Sequence, residues 1–243
     1  MAYRNGPKIV TDGLVLCLDA AIGKSYPGSG NTWYDCSTSK YDASLSNVSF
    51  SSNNGGVFNF DGTNDLISLS PNSDFDLSNG NFTISLWFYL STSGDSTNLY
   101  YWLFGMGTSS MGQSSGTTIY LRIWRSGLEP GCLFTRINDV ALLSTSAATY
   151  SPYANNYYKA SGKWTHLTIL ENNGTTYYYI NGENHISNTT PTIPTGSNYI
   201  TIGDHSIDNP FIGQLANFYL YQKPLSAKEI LQNYKATKGR FGL

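Results

Sequence analysis

The chain has 243 residues, 40% of them hydrophobic and 14% aromatic, which is enough apolar material for a core and too much for a disordered chain. Only 12% are charged, about half the usual share, and 14 basic against 16 acidic residues leave a net charge of −2. With no basic stripe there is no counterion release to hold nucleic acid, and no stretch approaches the roughly 20 apolar residues needed for membrane insertion.

Strand character recurs between turn signals. Leu14–Leu18, Val57–Phe60 and Leu66–Leu69 come first. Phe82–Leu90 gives the clearest pattern: Phe82, Ile84, Leu86, Phe88 and Leu90 fall on one face and Thr83, Ser85, Trp87 and Tyr89 on the other. Tyr100–Phe104, Thr118–Trp124 and Cys132–Arg136 follow. Trp164–Leu170 and Thr176–Ile180 flank Glu171-Asn172-Asn173-Gly174-Thr175, whose Asn-Gly marks a hairpin. Tyr199–Ile202 and Gln214–Tyr221 complete the series. A helix is signalled once, by Ser226 and Glu229 as a capping box, an apolar stripe of Ile230, Leu231 and Tyr234, and Gly239 where a helix ends. Short strands without interleaved helices predict an all-β fold, a two-sheet antiparallel sandwich with one short C-terminal helix. The pattern runs without a linker, so residues 1–243 are expected to form a single domain.

Several segments in order carry a family resemblance. They are Gly13-Leu14-Val15-Leu16-Cys17-Leu18-Asp19 followed by Trp33-Tyr34-Asp35, Phe58-Asn59-Phe60-Asp61-Gly62, Phe82-Thr83-Ile84-Ser85-Leu86-Trp87, Lys163-Trp164-Thr165-His166, Tyr179-Ile180-Asn181-Gly182 and Leu225-Ser226-Ala227-Lys228-Glu229-Ile230. Together they resemble a laminin G-like, concanavalin A-like jelly roll, and the opening is similar to that of structural proteins of tailed bacteriophages. The resemblance implies a virion structural protein, such as a capsid decoration, a knob or a tail-fibre adaptor. Its partners would be copies of itself, other virion proteins and host-surface polysaccharide. A soluble lectin module is the alternative. The opening Met1–Pro7 has no apolar signal core, which suits a chain made in the host cytoplasm and carried in the virion.

The site residues follow from the same segments. Glucanases of this fold use paired carboxylates on one strand, and the closing strand Ala216-Asn217-Phe218-Tyr219-Leu220-Tyr221 has none, so no enzyme is expected. His166 is expected to be structural. By resemblance to calcium-binding members, Asn64 and Asp65 in an early turn, with Asp204 and Asp208 in a later loop, are candidate calcium ligands. The same aspartates could instead accept backbone hydrogen bonds in tight turns. An insertion running from about Asn138 to Gly162, without a clear strand of its own, carries Tyr150, Tyr153, Asn155, Asn156, Tyr157 and Tyr158. These side chains suit either a glycan or a neighbouring subunit. Cys17, Cys36 and Cys132 are too few and too scattered for a disulfide framework or a zinc site.

Overall fold

A computed structural model describes residues 7–91, 100–108, 117–124, 133–138, 140–143, 158, 160–196, 198–203 and 210–243. Sixteen strands occur among the described residues: β1 Leu14–Asp19, β2 Thr32–Trp33, β3 Ala43–Ser46, β4 Ser49–Ser51, β5 Val57–Asp61, β6 Leu66–Asn72, β7 Phe82–Leu90, β8 Tyr100–Gly107, β9 Thr117–Trp124, β10 Leu133–Ile137, β11 Val140–Leu143, β12 Trp164–Asn172, β13 Thr175–Ile180, β14 Glu183–Thr189, β15 Asn198–Ile202 and β16 Ile212–Tyr221. One helix, α1, spans Ala227–Thr237. The strands form two antiparallel sheets. Sheet 1 runs β14-β13-β12-β7-β16-β5-β4, with β1 also on β16, and sheet 2 runs β11-β10-β9-β8-β15-β6-β3-β2. This is the expected jelly-roll sandwich.

The alternation in β7 is the organising feature. Phe82, Ile84, Leu86, Phe88 and Leu90 all point between the sheets, where they meet Phe104, Leu121, Ile200 and Ile202 from sheet 2. Trp87 is equally buried but faces outward, in a second cluster with Val57 and Ala216 beneath Tyr234 and Phe241. β7 is thus covered on both faces. A third cluster on that outer face joins Cys17, Tyr219 and Tyr221 to Ile230 of α1.

β16 serves two neighbours along one edge. Its first half pairs with β5 and its second with β1, while β7 runs along the other edge throughout. A register shift between Leu215 and Asn217 marks a bulge. Asn217 Oδ1 takes the Trp87 N–H there at 2.9 Å, so the bulge leaves no buried donor orphaned at Trp87.

The helix begins as the sequence implies. Ser226 accepts from the Glu229 N–H, and the Glu229 carboxylate accepts from the Ser226 N–H. It stops earlier than Gly239, at Thr237, and residues 238–241 tighten into a 3₁₀ turn. That turn carries Arg240, which donates to Asp19 Oδ1 at 2.8 Å and to the carbonyls of Asn54 and Gly56, both at 2.9 Å. Asp19 also accepts from Tyr219 Oη at 2.7 Å. The C-terminal turn is thereby tied to the end of β1.

Two expectations change. The insertion after Asn138 does contain a strand, β11, paired with β10. The polar segment Glu183–Thr189, which lacks an apolar alternation, is edge strand β14. It is joined to β13 by Asn181 and Gly182, both at positive φ, as Asn173 and Gly174 join β12 to β13. Positive φ at both central residues is the geometry whose twist matches a hairpin.

Candidate functional site

The turn proposed for calcium lies between β5 and β6. Asp65 is buried, and its Oδ2 accepts the Asp61 N–H. Burial raises its carboxyl above the ordinary aspartate range, partly offset by that N–H. Asn64 is exposed, and its carbonyl accepts from Asn47 Nδ2 at 3.1 Å. Gly203, at φ +96, packs so closely on this turn that a Cβ there would lie 2.8 Å from the Asp65 carbonyl. Gly203, the last described residue before the later loop, thus lies against the early turn. Asp204 and Asp208 themselves lie outside the described residues. The described donors alone do not make a hard-cation cage: one Asp65 oxygen is engaged by the backbone, and no cluster of three metal-ligating side chains occurs among the described residues.

Of the tyrosine segment, Tyr150, Tyr153, Asn155, Asn156 and Tyr157 also lie outside the described residues, and Tyr158 lies within them. Tyr158 is half-buried against the inter-sheet core, and its hydroxyl is 3.2 Å from Thr165 Oγ1 at the start of β12. The Lys163 ammonium sits 4.4 Å from its ring centre, and His185 of β14 packs edge-on with ring centres 6.2 Å apart. Lys163, Thr165 and His185 were not legible as site residues in the sequence. Lys163 and Thr165 lie two residues apart at the start of β12 and His185 comes from β14, so only the Lys163-Trp164-Thr165-His166 run gave a local signal. The corner combines an aromatic face, a cation over it and an imidazole at its edge. Such a set can hold an amphipathic ring by stacking and directed hydrogen bonds.

His166 faces the opposite side of sheet 1. It is buried between Trp87 and Tyr234, at ring distances of 5.1 and 5.8 Å, and its Nε2 is 2.9 Å from Ser85 Oγ. A serine within reach of a histidine is a nucleophile's arrangement in outline. Here both are sealed from solvent under α1, and burial holds the imidazole neutral, with its pKa lowered to about 3. The pair belongs to the packing of the fold. No described strand carries two carboxylates. At the bulge in the middle of β16, Ala216 packs with the Trp87 indole and Asn217 spends its side-chain carbonyl on the Trp87 N–H.

Comparison with known folds places this sandwich. The receptor-binding domain of a botulinum neurotoxin C/D mosaic serotype superposes with a TM-score of 0.64 at 19% identity, over 93% of this chain and 51% of that one. A Trypanosoma rangeli sialidase in complex with sialic acid gives 0.66 at 16% identity, over 97% and 35%. Domain 4 of AbnA, an extracellular arabinanase of Geobacillus stearothermophilus in complex with arabinotriose, gives 0.61 at 16%, over 93% and 100%. The chain therefore spans about half of the toxin domain, about a third of the sialidase and all of the arabinanase domain. At these identities the likeness is one of fold. No curated protein sequence matches the chain. Residues 61–231, from the end of β5 into α1, match the family described as the concanavalin A-like lectin/glucanases superfamily, and the chain belongs to that family.

Proposed function

We propose that this chain is a non-catalytic, lectin-like module of a bacteriophage virion structural protein, and that it contacts surface glycans through the tyrosine segment that ends at Tyr158. The observation that carries the binding part is the Tyr158 corner. A half-buried ring is pinned by Thr165 and topped by Lys163, at the point where a segment rich in Tyr and Asn joins the sandwich. An aromatic held in place loses little entropy on meeting a sugar. Two of the similar structures hold saccharides, sialic acid in the sialidase and arabinotriose in the arabinanase domain. The lack of a carboxylate pair on any described strand supports the non-catalytic part, because acid and base would have no carriers there. The virion part rests on the opening Gly13–Asp19 with Trp33-Tyr34-Asp35.

The test has two arms. Antibody against the chain, viewed on particles by electron microscopy, is expected to decorate them. The purified chain is expected to be retained by a glycan array and to release no reducing ends from the glycans it binds. Retention without decoration of particles favours the soluble lectin. Steady release of reducing ends, lost on substitution of one carboxylate, ends the non-catalytic reading.

A further inference from the structure

A second aromatic platform lies elsewhere on the surface, and it shares no residue with the Tyr158 corner. Among the described residues the exposed large apolar side chains are few, and two of them, Tyr34 at 45% exposure and Ile22 at 39%, line the same open cleft of about 540 Å³. Lys24, Cys36, Lys40 and Asp42 complete its walls, over a floor that includes Asp35. Small-ligand sites occupy roughly 300–1,000 Å³, and an open, half-polar one suits a hydroxylated ligand better than an apolar one.

The cleft is built on a rigid loop. Trp33 points inward, fully buried against Phe58, while its neighbour Tyr34 points out. The Tyr34 N–H donates to the Ser25 carbonyl at 2.7 Å, and the buried Ser25 Oγ donates to the Tyr34 carbonyl at 2.6 Å. Asp35 is 2% exposed and ties the loop to β1: it accepts from the N–H groups of Cys17, Ser37 and Tyr41 and from the Ser37 hydroxyl. The aromatic face is thus presented before any ligand arrives, which lowers the entropic cost of binding.

The hydrogen-bonding capacity left over is unbalanced. Asp35 has both oxygens occupied, and Asp42 Oδ1 accepts the Asp35 N–H at 2.9 Å. Lys40 uses one donor on the Asp35 carbonyl at 3.3 Å, and no hydrogen bond or ion pair holds the Lys24 ammonium among the described residues. Two ammonium groups therefore offer donors around an aromatic face, against one remaining carboxylate acceptor, the second oxygen of Asp42. A ligand that matches has an apolar ring face and a negative, acceptor-rich edge.

We infer that this cleft is a binding site for a carboxylate-bearing saccharide, whose ring stacks on Tyr34 beside Ile22 while its carboxylate is met by Lys24 and Lys40.

The full chain would be titrated by calorimetry with trigalacturonate and with N-acetylneuraminic acid, and with cellotriose as an uncharged counterpart, at about 50 and about 500 mM salt. At least one acidic probe is expected to bind more tightly than cellotriose and to weaken at the higher salt. Tyr34→Ala should weaken it by about tenfold or more, the scale of an aromatic anchor, and Tyr34→Trp should retain it. Lys24→Gln should weaken it less and flatten the salt dependence. Unchanged thermal melting shows that the variants fold, as expected for exposed positions. Binding of neither acidic probe, tighter binding of cellotriose, or equal affinity in Tyr34→Ala overturns the inference. A Tyr153→Ser/Tyr157→Ser/Tyr158→Phe variant separates this site from the Tyr158 corner. If only that variant loses saccharide, the cleft fails and the corner stands; if only Tyr34→Ala does, the reverse holds.

Discussion

Two aromatic regions of this molecule have opposite fates. On the outer face of sheet 1, Trp87 stacks on Tyr234 at 5.7 Å and lies 4.3 Å from Phe241, which in turn meets Trp164 at 4.4 Å. The Trp87 indole N–H donates to Thr237 Oγ1 at 2.7 Å, so even its polar atom is spent inside. In the loop after β2, Tyr34 has both backbone groups satisfied and its ring left in water. Aromatic content therefore does not locate a binding surface in this chain. What separates the two regions is whether an element folds over the ring. α1 and the turn that follows it cover the first, and no described element covers the second.

The comparison breaks most visibly in the core. Phe88 is fully buried between the sheets. Truncation to Ala is expected to cost about 3–5 kcal/mol, the transfer of the ring plus the cavity it leaves, read from the midpoint of urea unfolding. A cost below about 1 kcal/mol would mean that the β7 faces are reversed.

The covered region depends on how its lid is latched. Arg240→Ala removes three hydrogen bonds and leaves the Asp19 carboxylate, 5% exposed, with only its neutral donors Tyr219 and the Ala21 N–H. Charge-assisted bonds in such settings are worth about 1.5–3 kcal/mol, and Arg240 is only partly buried, so about 2 kcal/mol of stability should be lost. Cleavage by a protease after residue 226 should speed up with it, because the lid opens more often.

The histidine under that lid gives the covered region a pH signature. His166 takes a proton near 6.5 in an unfolded chain but only near 3 in the fold, because burial disfavours the imidazolium. Between those values the unfolded state binds more protons, so stability falls as the pH drops through that window. From pH 6.5 to about 5 the loss should be about 1.5 kcal/mol. His166→Gln, which keeps a partner for Ser85 and cannot titrate, should flatten that slope. An equal slope in the variant would place the acid sensitivity in the carboxylates.

The sequence shows the covered region far better than the open one. β7 announces itself because one face meets sheet 2 and every second residue must be apolar; the Phe82–Leu90 bounds agree with the structure. The β12–β13 hairpin is written in Asn173-Gly174, and α1 in Ser226 and Glu229, because turns and caps are local chemistry. β14 escapes because an edge strand need bury little: four of its seven residues are exposed, so Glu183–Thr189 carries no alternation. The Tyr34 cleft escapes for another reason. It brings Ile22 and Lys24 from one loop against Tyr34, Lys40 and Asp42 from another, and no periodicity in the chain encodes that meeting. The tyrosine segment was legible as composition alone, and Tyr158 turned out to be partly core rather than wholly surface.

That last point sharpens how the open side should be tested. Substituting Tyr153, Tyr157 and Tyr158 together by Ser would confuse two effects, because Tyr158 packs against the inter-sheet core and its hydroxyl reaches Thr165. Tyr158→Ser alone should cost about 1 kcal/mol or more from lost burial of a half-covered ring. Tyr158→Phe keeps the ring under the Lys163 ammonium and removes only the hydroxyl, so its effect on the melting temperature should be within about 2 °C. Combining Tyr158→Phe with Tyr153→Ser and Tyr157→Ser is therefore expected to lower retention on glycan or copurification with particles while leaving the melt nearly unchanged. If the melt collapses instead, the tyrosines serve as core cover in the manner of Trp87, and partner contact must be sought at Tyr34.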